Sequence, residues 1–137
     1  MTMYKCLTEE NKSWYDRTTE WIPGKWMPRI DNINGTDECG AGYHLGLSVN
    51  NAMQYGLMPC RIWTAEGKKR YGVGRDKKRY GKARIIEDVT PDYISDANEF
   101  IKSIENVRWF SQYKRPLKSW RLHNTGAAAV AAARNAA

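Results

Sequence analysis

One window limits what this chain can build more than any other. Residues 68–84 read KKRYGVGRDKKRYGKAR, with nine basic side chains against a single acid, Asp76. The window carries a net +8 while the whole chain of 137 residues carries +7, so the basic character is a local device. Gly72, Gly74 and Gly81 interrupt it and argue against a helix. The pentapeptide KKRYG occurs twice, at 68–72 and 77–81. A strand, CRIWTA, is expected just before the window and another, ARIIEDV, at 83–89. The expected arrangement is a basic loop or loose hairpin between them. Lys68, Lys69, Arg70, Arg75, Lys77, Lys78, Arg79 and Lys82 are candidates to neutralise phosphates. Tyr71 and Tyr80 are candidates to stack on bases. The plainer alternative is a solvated segment whose charge serves solubility.

The rest of the composition is that of a soluble globular protein, with 42% hydrophobic and 27% charged residues. Six Trp and eight Tyr exclude a generic disordered chain. The length suits one domain, expected over 1–120, followed by an Ala-rich helical or flexible tail over 121–137. No apolar run is long enough for a transmembrane helix, and MTMYKCLTEENK has no signal-peptide pattern. Membrane contact is therefore not expected, and a cytoplasmic location is. Cys6, Cys39 and Cys60 are widely spaced and read as free thiols. With two histidines and no ligand spacing, no metal site is expected. Asn34-Gly35-Thr36 matches a glycosylation sequon and is read as accidental.

MYKCL alternates and predicts a strand at 3–7. Pro23-Gly24 fits a type II turn, which would bring Trp21 and Trp26 near one another. Residues 31–42 are loop-like. YHLGL at 43–47 predicts a short strand. Ser48 then caps a helix over VNNAMQY that ends at Gly56, with Val49, Ala52 and Met53 on its apolar face. Thr90-Pro91-Asp92 opens the strongest helix, expected to run to about Gln112. Ile94, Ala97, Ile101, Ile104 and Val107 are its core stripe. The fold class is accordingly α+β: a single domain with a small mixed or antiparallel sheet and two main helices.

The segment GAGYHLGLSVNNAMQY resembles the glycine–strand–helix segment of ADP-ribosyltransferase-like proteins, the poly(ADP-ribose) polymerases among them. Gly40 and Gly42 stand at that family's glycine positions, His44 at its stacking tyrosine, Leu45 at its phenylalanine and Tyr55 at its helix tyrosine. The resemblance implies an ADP-ribosyltransferase-like core that takes NAD, with Tyr43, His44, Ser48 and Tyr55 around the cofactor. It also implies a catalytic glutamate on a late strand, where Glu87 is the candidate and Glu66 the reserve. The first strand offers only Lys5 and Cys6 where that family has a ribose-binding His or Arg. A second resemblance covers more of the chain. YKCLT, the Cys39–His44 segment and the Ala-rich tail are similar, in order, to a phage and prokaryotic family of unknown function.

Two functions follow. In the first, an ADP-ribosyltransferase-like domain binds an NAD-like or nucleotide ligand beside His44 and acts on or binds an anionic partner, nucleic acid being the natural choice. Here Glu87 stabilises charge and His44 stacks. In the second, a non-catalytic phage-type protein uses the 68–84 segment to grip nucleic acid or an acidic host protein. His44 has a structural alternative in both, as a half-buried ring satisfied by a backbone carbonyl. Cys39 lacks a neighbouring base and reads as inert.

Overall fold

The computed structural model describes residues 1–31, 33, 40–104 and 121–136. The chain divides into two units, Met1–Val89 and Thr90–Ala137. The first unit holds strands β1 (Met3–Leu7), β2 (Tyr43–Gly46), β3 (Arg61–Val73) and β4 (Lys77–Asp88), with the short helix α1 (Val49–Met53). The second holds α2 (Thr90–Ile104) and α3 (Gly126–Ala136). The class is α+β. The four strands pair antiparallel throughout and close as a barrel in the order β1-β2-β4-β3.

Of the loop and the hairpin expected for the basic window, the structure shows the hairpin. The window is the distal half of a hairpin in which β3 and β4 pair from Trp63↔Asp88 to Val73↔Lys78. The turn is tight: Gly74 N–H donates to the Lys77 carbonyl at 2.9 Å. The glycines that look like breakers create room instead. A Cβ on Gly67 would meet the Tyr80 ring, and one on Gly81 would meet the Tyr71 ring at 2.7 Å. Strand glycines often mark such close approach.

Inward residues alternate as a half-buried sheet requires. Met3, Leu7, Leu45, Ala65, Ala83 and Ile85 form the barrel core with Trp21, Met27, Trp63 and Tyr80. Pro23-Gly24 makes the expected turn, with Gly24 at φ 77° and Lys25 N–H donating to Ile22 O at 3.0 Å. The arm after the turn does not fold back on the arm before it. It runs beside β4, donating from Gly24 to Ile85 O, Met27 to Ala83 O and Ile30 to Gly81 O. Trp21 is in the core, edge-on to Tyr43 with centroids 5.4 Å apart. Trp26 is instead ringed by Lys68, Lys82 and Arg84.

Ser48 caps α1, its Oγ accepting from Asn51 N–H at 3.1 Å. Helix α1 lies directly on β2 at Gly46, where a Cβ would stand 2.6 Å from the Ala52 amide nitrogen. In the second unit, Asp92 lies in the first turn of α2, where a carboxylate suits the helix dipole. Asn98 clamps the backbone of Leu122, accepting its N–H at 2.6 Å and donating to its carbonyl at 3.0 Å. The sequon, Cys39, Val107 and the expected end of the long helix lie outside the described residues. Among the described residues no helix is long and apolar enough to cross a membrane.

Candidate functional site

Strands β1 and β2 are registered at one pair, Tyr4↔Gly46, whereas β1 pairs with β3 along its whole length. Beside that pair the Lys5 ammonium donates to the His44 carbonyl at 3.2 Å. A cavity of about 830 Å³ opens at this seam. Its wall includes Lys5 of β1, Tyr43 and His44 of β2, Tyr55 after α1, Lys77 of β4 and Asp16.

The segment 8–20 carries Asp16 to the rim and is pinned at its base. A Lys12↔Glu20 bridge closes it. The Trp21 indole N–H donates to Ser13 Oγ at 2.8 Å, and the Trp63 indole N–H to Asn11 Oδ1 at 2.9 Å. The Asp16 carboxylate accepts from the Thr18 and Thr19 amides at 2.9 Å each and from the Thr19 hydroxyl. These bonds, the Thr19 hydroxyl first, hold its carboxyl down at about 2.

The cavity combines aromatic faces with cations. Lys5 Nζ lies 5.2 Å from the centroid of Trp21, and Lys77 Nζ 4.3 Å from that of Tyr55. Ammonium groups over aromatic faces are held by the ring quadrupole. Loss of hydration lowers Lys5 to about 8, and the Lys77 charge adds to the effect against Cys6 and Asp16. Burial also pushes the Tyr43 phenol up, and its hydroxyl donates to Pro28 O at 2.7 Å.

The sequence candidates separate. Tyr43, His44 and Tyr55 border the cavity. Ser48 does not; its hydroxyl is spent on the α1 cap, donating to Asn51 Oδ1 at 2.6 Å. Glu87 lies elsewhere, on a shallow depression with Thr64, Glu66 and Ile86, its amide on Thr64 Oγ1 at 3.1 Å. The expectation that Glu87 and His44 face one cleft is therefore not met. Glu66 is paired with Arg84. The two glycines of the family-like segment serve the chain itself. Cβ atoms on Gly40 and Gly42 would collide with the Arg79 side chain, whose Nη1 donates to Ala41 O at 3.2 Å.

The basic hairpin is two-faced. Lys68, Lys69, Arg70 and Arg75 are exposed, and Lys78, Lys82 and Tyr71 are half-buried. Arg79 and Tyr80 are buried, so they offer no surface to a phosphate backbone or a base, and Lys77 is buried against the seam cavity rather than on the hairpin's outer face. Sequence reasoning missed Lys5, Asp16 and Trp26. Lys77 as a cavity residue had one available signal: stepping back by twos from the inward Ala83 and Ile85 reaches Arg79 and Lys77. The chain matches no protein-family model, no curated protein and no solved structure.

Proposed function

We propose that this protein binds a nucleotide-class ligand, a flat ring system carrying phosphate, at the β1–β2 seam. The observation that carries the reading is the pairing of Lys5 with Trp21 and Lys77 with Tyr55 on one cavity wall. The rings suit a base or nicotinamide, and the ammonium groups suit a phosphate. The volume, about 830 Å³, lies in the range of small-molecule pockets. NAD falls within this ligand class, in line with the ADP-ribosyltransferase resemblance.

Glycosyl transfer from NAD needs a carboxylate where positive charge develops on the ribose. Asp16 borders the cavity and Glu87 does not. A transferase reading therefore rests on Asp16, and binding without turnover is the function proposed.

Titration of the intact chain with AMP, ATP and NAD, followed by calorimetry, tests the proposal. Binding at micromolar to millimolar ligand is expected. Lys5→Gln and Lys77→Gln should each weaken it at least about tenfold, the scale of a hydrogen bond to a charged group. Nicotinamide release that Asp16→Asn abolishes would replace binding with catalysis. No binding of any of the three at millimolar concentration would overturn the reading.

The outer face of the hairpin favours a second reading, a polyanion surface. Lys68 Nζ, Lys82 Nζ and the Arg84 guanidinium lie 4.6, 5.5 and 4.8 Å from the centroid of Trp26. Lys69, Arg70 and Arg75 extend the charge toward the turn. An indole among cations offers stacking and charge together, the combination used on single strands.

A further inference from the structure

A second cluster lies outside the barrel core, where α1 and the segment after it cover β1 and the start of β3. Cys6 and Cys60 are both buried and adjacent, each thiol shifting the other's acidity, Cys6 downward and Cys60 upward. The Cys60 sulfur lies 3.3 Å from Met58 Sδ and 3.6 Å from Met53 Sδ. Four sulfur atoms from four separate positions thus converge on one spot. Both methionines are half-buried, which leaves the cluster a path to solvent. Its far side is walled by Gly56, where a Cβ would stand 2.5 Å from Cys6 Sγ and 2.6 Å from the Trp14 indole nitrogen.

Apolar packing alone would account for one thiol beside one thioether. It gives no reason for two thiols and two thioethers to meet with no carbon side chain between Cys60 and either methionine sulfur. Soft sulfur donors select soft cations. Taking the roughly 2.3 Å of a metal–thiolate bond as the scale, sulfurs on a tetrahedral ion stand about 3.8 Å apart. The two Cys60–methionine separations fall short of that by a few tenths of an ångström, a gap that rotamer changes in two flexible methionines can supply. Zinc is the poorer fit. Its sites are built from thiolate, imidazole and carboxylate, and no group of three such residues occurs among the described residues.

We propose that Cys6, Met53, Met58 and Cys60 form a binding site for a soft monovalent cation of the copper(I) or silver(I) class. On binding, each thiol loses its proton to solvent, and a sulfur lone pair forms the bond to the metal. The thioethers donate lone pairs without change of charge, and no electron is transferred. Two thiolates and one monovalent cation leave a net −1, which the neighbouring Lys5 ammonium offsets. The site shares Cys6 and its neighbour Lys5 with the wall of the seam cavity, while neither methionine borders it, so the methionine variants separate the copper(I) site from the nucleotide reading.

The test is an anaerobic titration of the reduced, full-length chain with copper(I) against a chromogenic copper(I) chelator. Thiolate-to-metal absorption in the ultraviolet is followed alongside. One equivalent that withstands the chelator is expected, with Zn(II) unable to displace it. Cys60→Ser should abolish the absorption band. Met53→Leu and Met58→Leu keep the volume and the fold, and each should weaken retention at least about tenfold. Cys39→Ser should change nothing, which assigns the thiols. Retention unaltered by both methionine variants would overturn the four-sulfur site. So would a band that survives Cys60→Ser, displacement by Zn(II), or failure of the native chain to hold copper(I) against the chelator.

Discussion

Gly67→Ala is the sharpest test of where the hairpin tyrosines point. The new Cβ would stand 2.6 Å from Tyr80 Cδ2, with Cγ and Cδ1 nearer still, where ordinary contact begins at 3.4 Å. The ring must therefore move by roughly 1 Å or β3 must bow away from β4. Tyr80 is buried in the barrel core, so the ring has no open side to move into. Overpacking of this kind costs about 1–3 kcal/mol. At about 2 kcal/mol the thermal midpoint of a domain this size falls by roughly 8–16 °C. Gly24→Ala is the reference. It meets no atom within 4 Å, and its cost is the positive φ of 77° alone. Denaturant titration of Gly67→Ala, Tyr80→Ala and the double variant closes a cycle. With Tyr80 removed, Ala at 67 should be neutral or stabilising, since Ala orders more cheaply than Gly in a strand. A single variant within about 0.5 kcal/mol of the native chain, with no coupling in the cycle, would refute the packing. It would return Tyr80 to the surface as a base-stacking candidate.

Four further outcomes follow from the charges. Lys5 titrates at about 8, so it holds its proton below that pH and loses it above. Affinity for a phosphate-bearing ligand should fall between pH 7 and 9 by calorimetry, and Lys5→Gln should flatten the profile. Its folded value lies below the ordinary 10.5, so the unfolded chain holds the extra proton between about 8 and 10.5 and fold stability should rise across that window. Asp16 is held at about 2, below its ordinary 3.8. Its contribution is present above the unfolded value and lost as pH falls through 2, so Asp16→Asn should lower the thermal midpoint at neutral pH and converge with the native chain near pH 2. On duplex DNA, the four exposed cations Lys68, Lys69, Arg70 and Arg75 set a log–log salt slope of about −3.6, and Lys69→Gln with Arg70→Gln should reduce it by about 1.8.

The two KKRYG copies show how far sequence reasoning reaches. They are chemically identical, and the sequence reading treats both alike, as parts of one basic loop or loose hairpin open to phosphates and bases. In the structure Lys68, Lys69 and Arg70 of the first copy are exposed, while Lys77, Arg79 and Tyr80 of the second are buried. Nothing within either pentapeptide decides this. The second copy is covered by distant segments, with Gly40 and Gly42 over Arg79 and Gly67 under Tyr80. By contrast, β1, the Pro23-Gly24 turn, the Ser48 cap and the start of α2 were legible because neighbouring residues determine them. The seam cavity was half legible. Tyr43, His44 and Tyr55 came from a local resemblance, but Lys5 and Asp16 reach them only through the closure of β1 on β2. The sulfur cluster left no signal at all, because two of its four members are methionines without ligand spacing.

The position of the cavity follows from the strand number. A barrel of about eight strands is just wide enough for side chains to fill its interior. One of four strands has no lumen to offer, and here Leu7, Leu45, Ala83 and Ile85 occupy its axis at zero exposure. Room for a ligand on this fold is therefore to be found where two strands pair incompletely. The β1–β2 seam, with a single registered pair, is such a place, and the cavity opens there. Extending the ladder past Tyr4↔Gly46 would leave the Lys5 ammonium no room at the His44 carbonyl and would bury its charge without a partner, at a cost of several kcal/mol. Lys5 thus holds the seam open while supplying the bond that keeps it from unravelling. On the binding reading proposed above, a residue that both props and tethers this seam can trade its carbonyl for a phosphate oxygen, because the exchange replaces a neutral acceptor with a charged one.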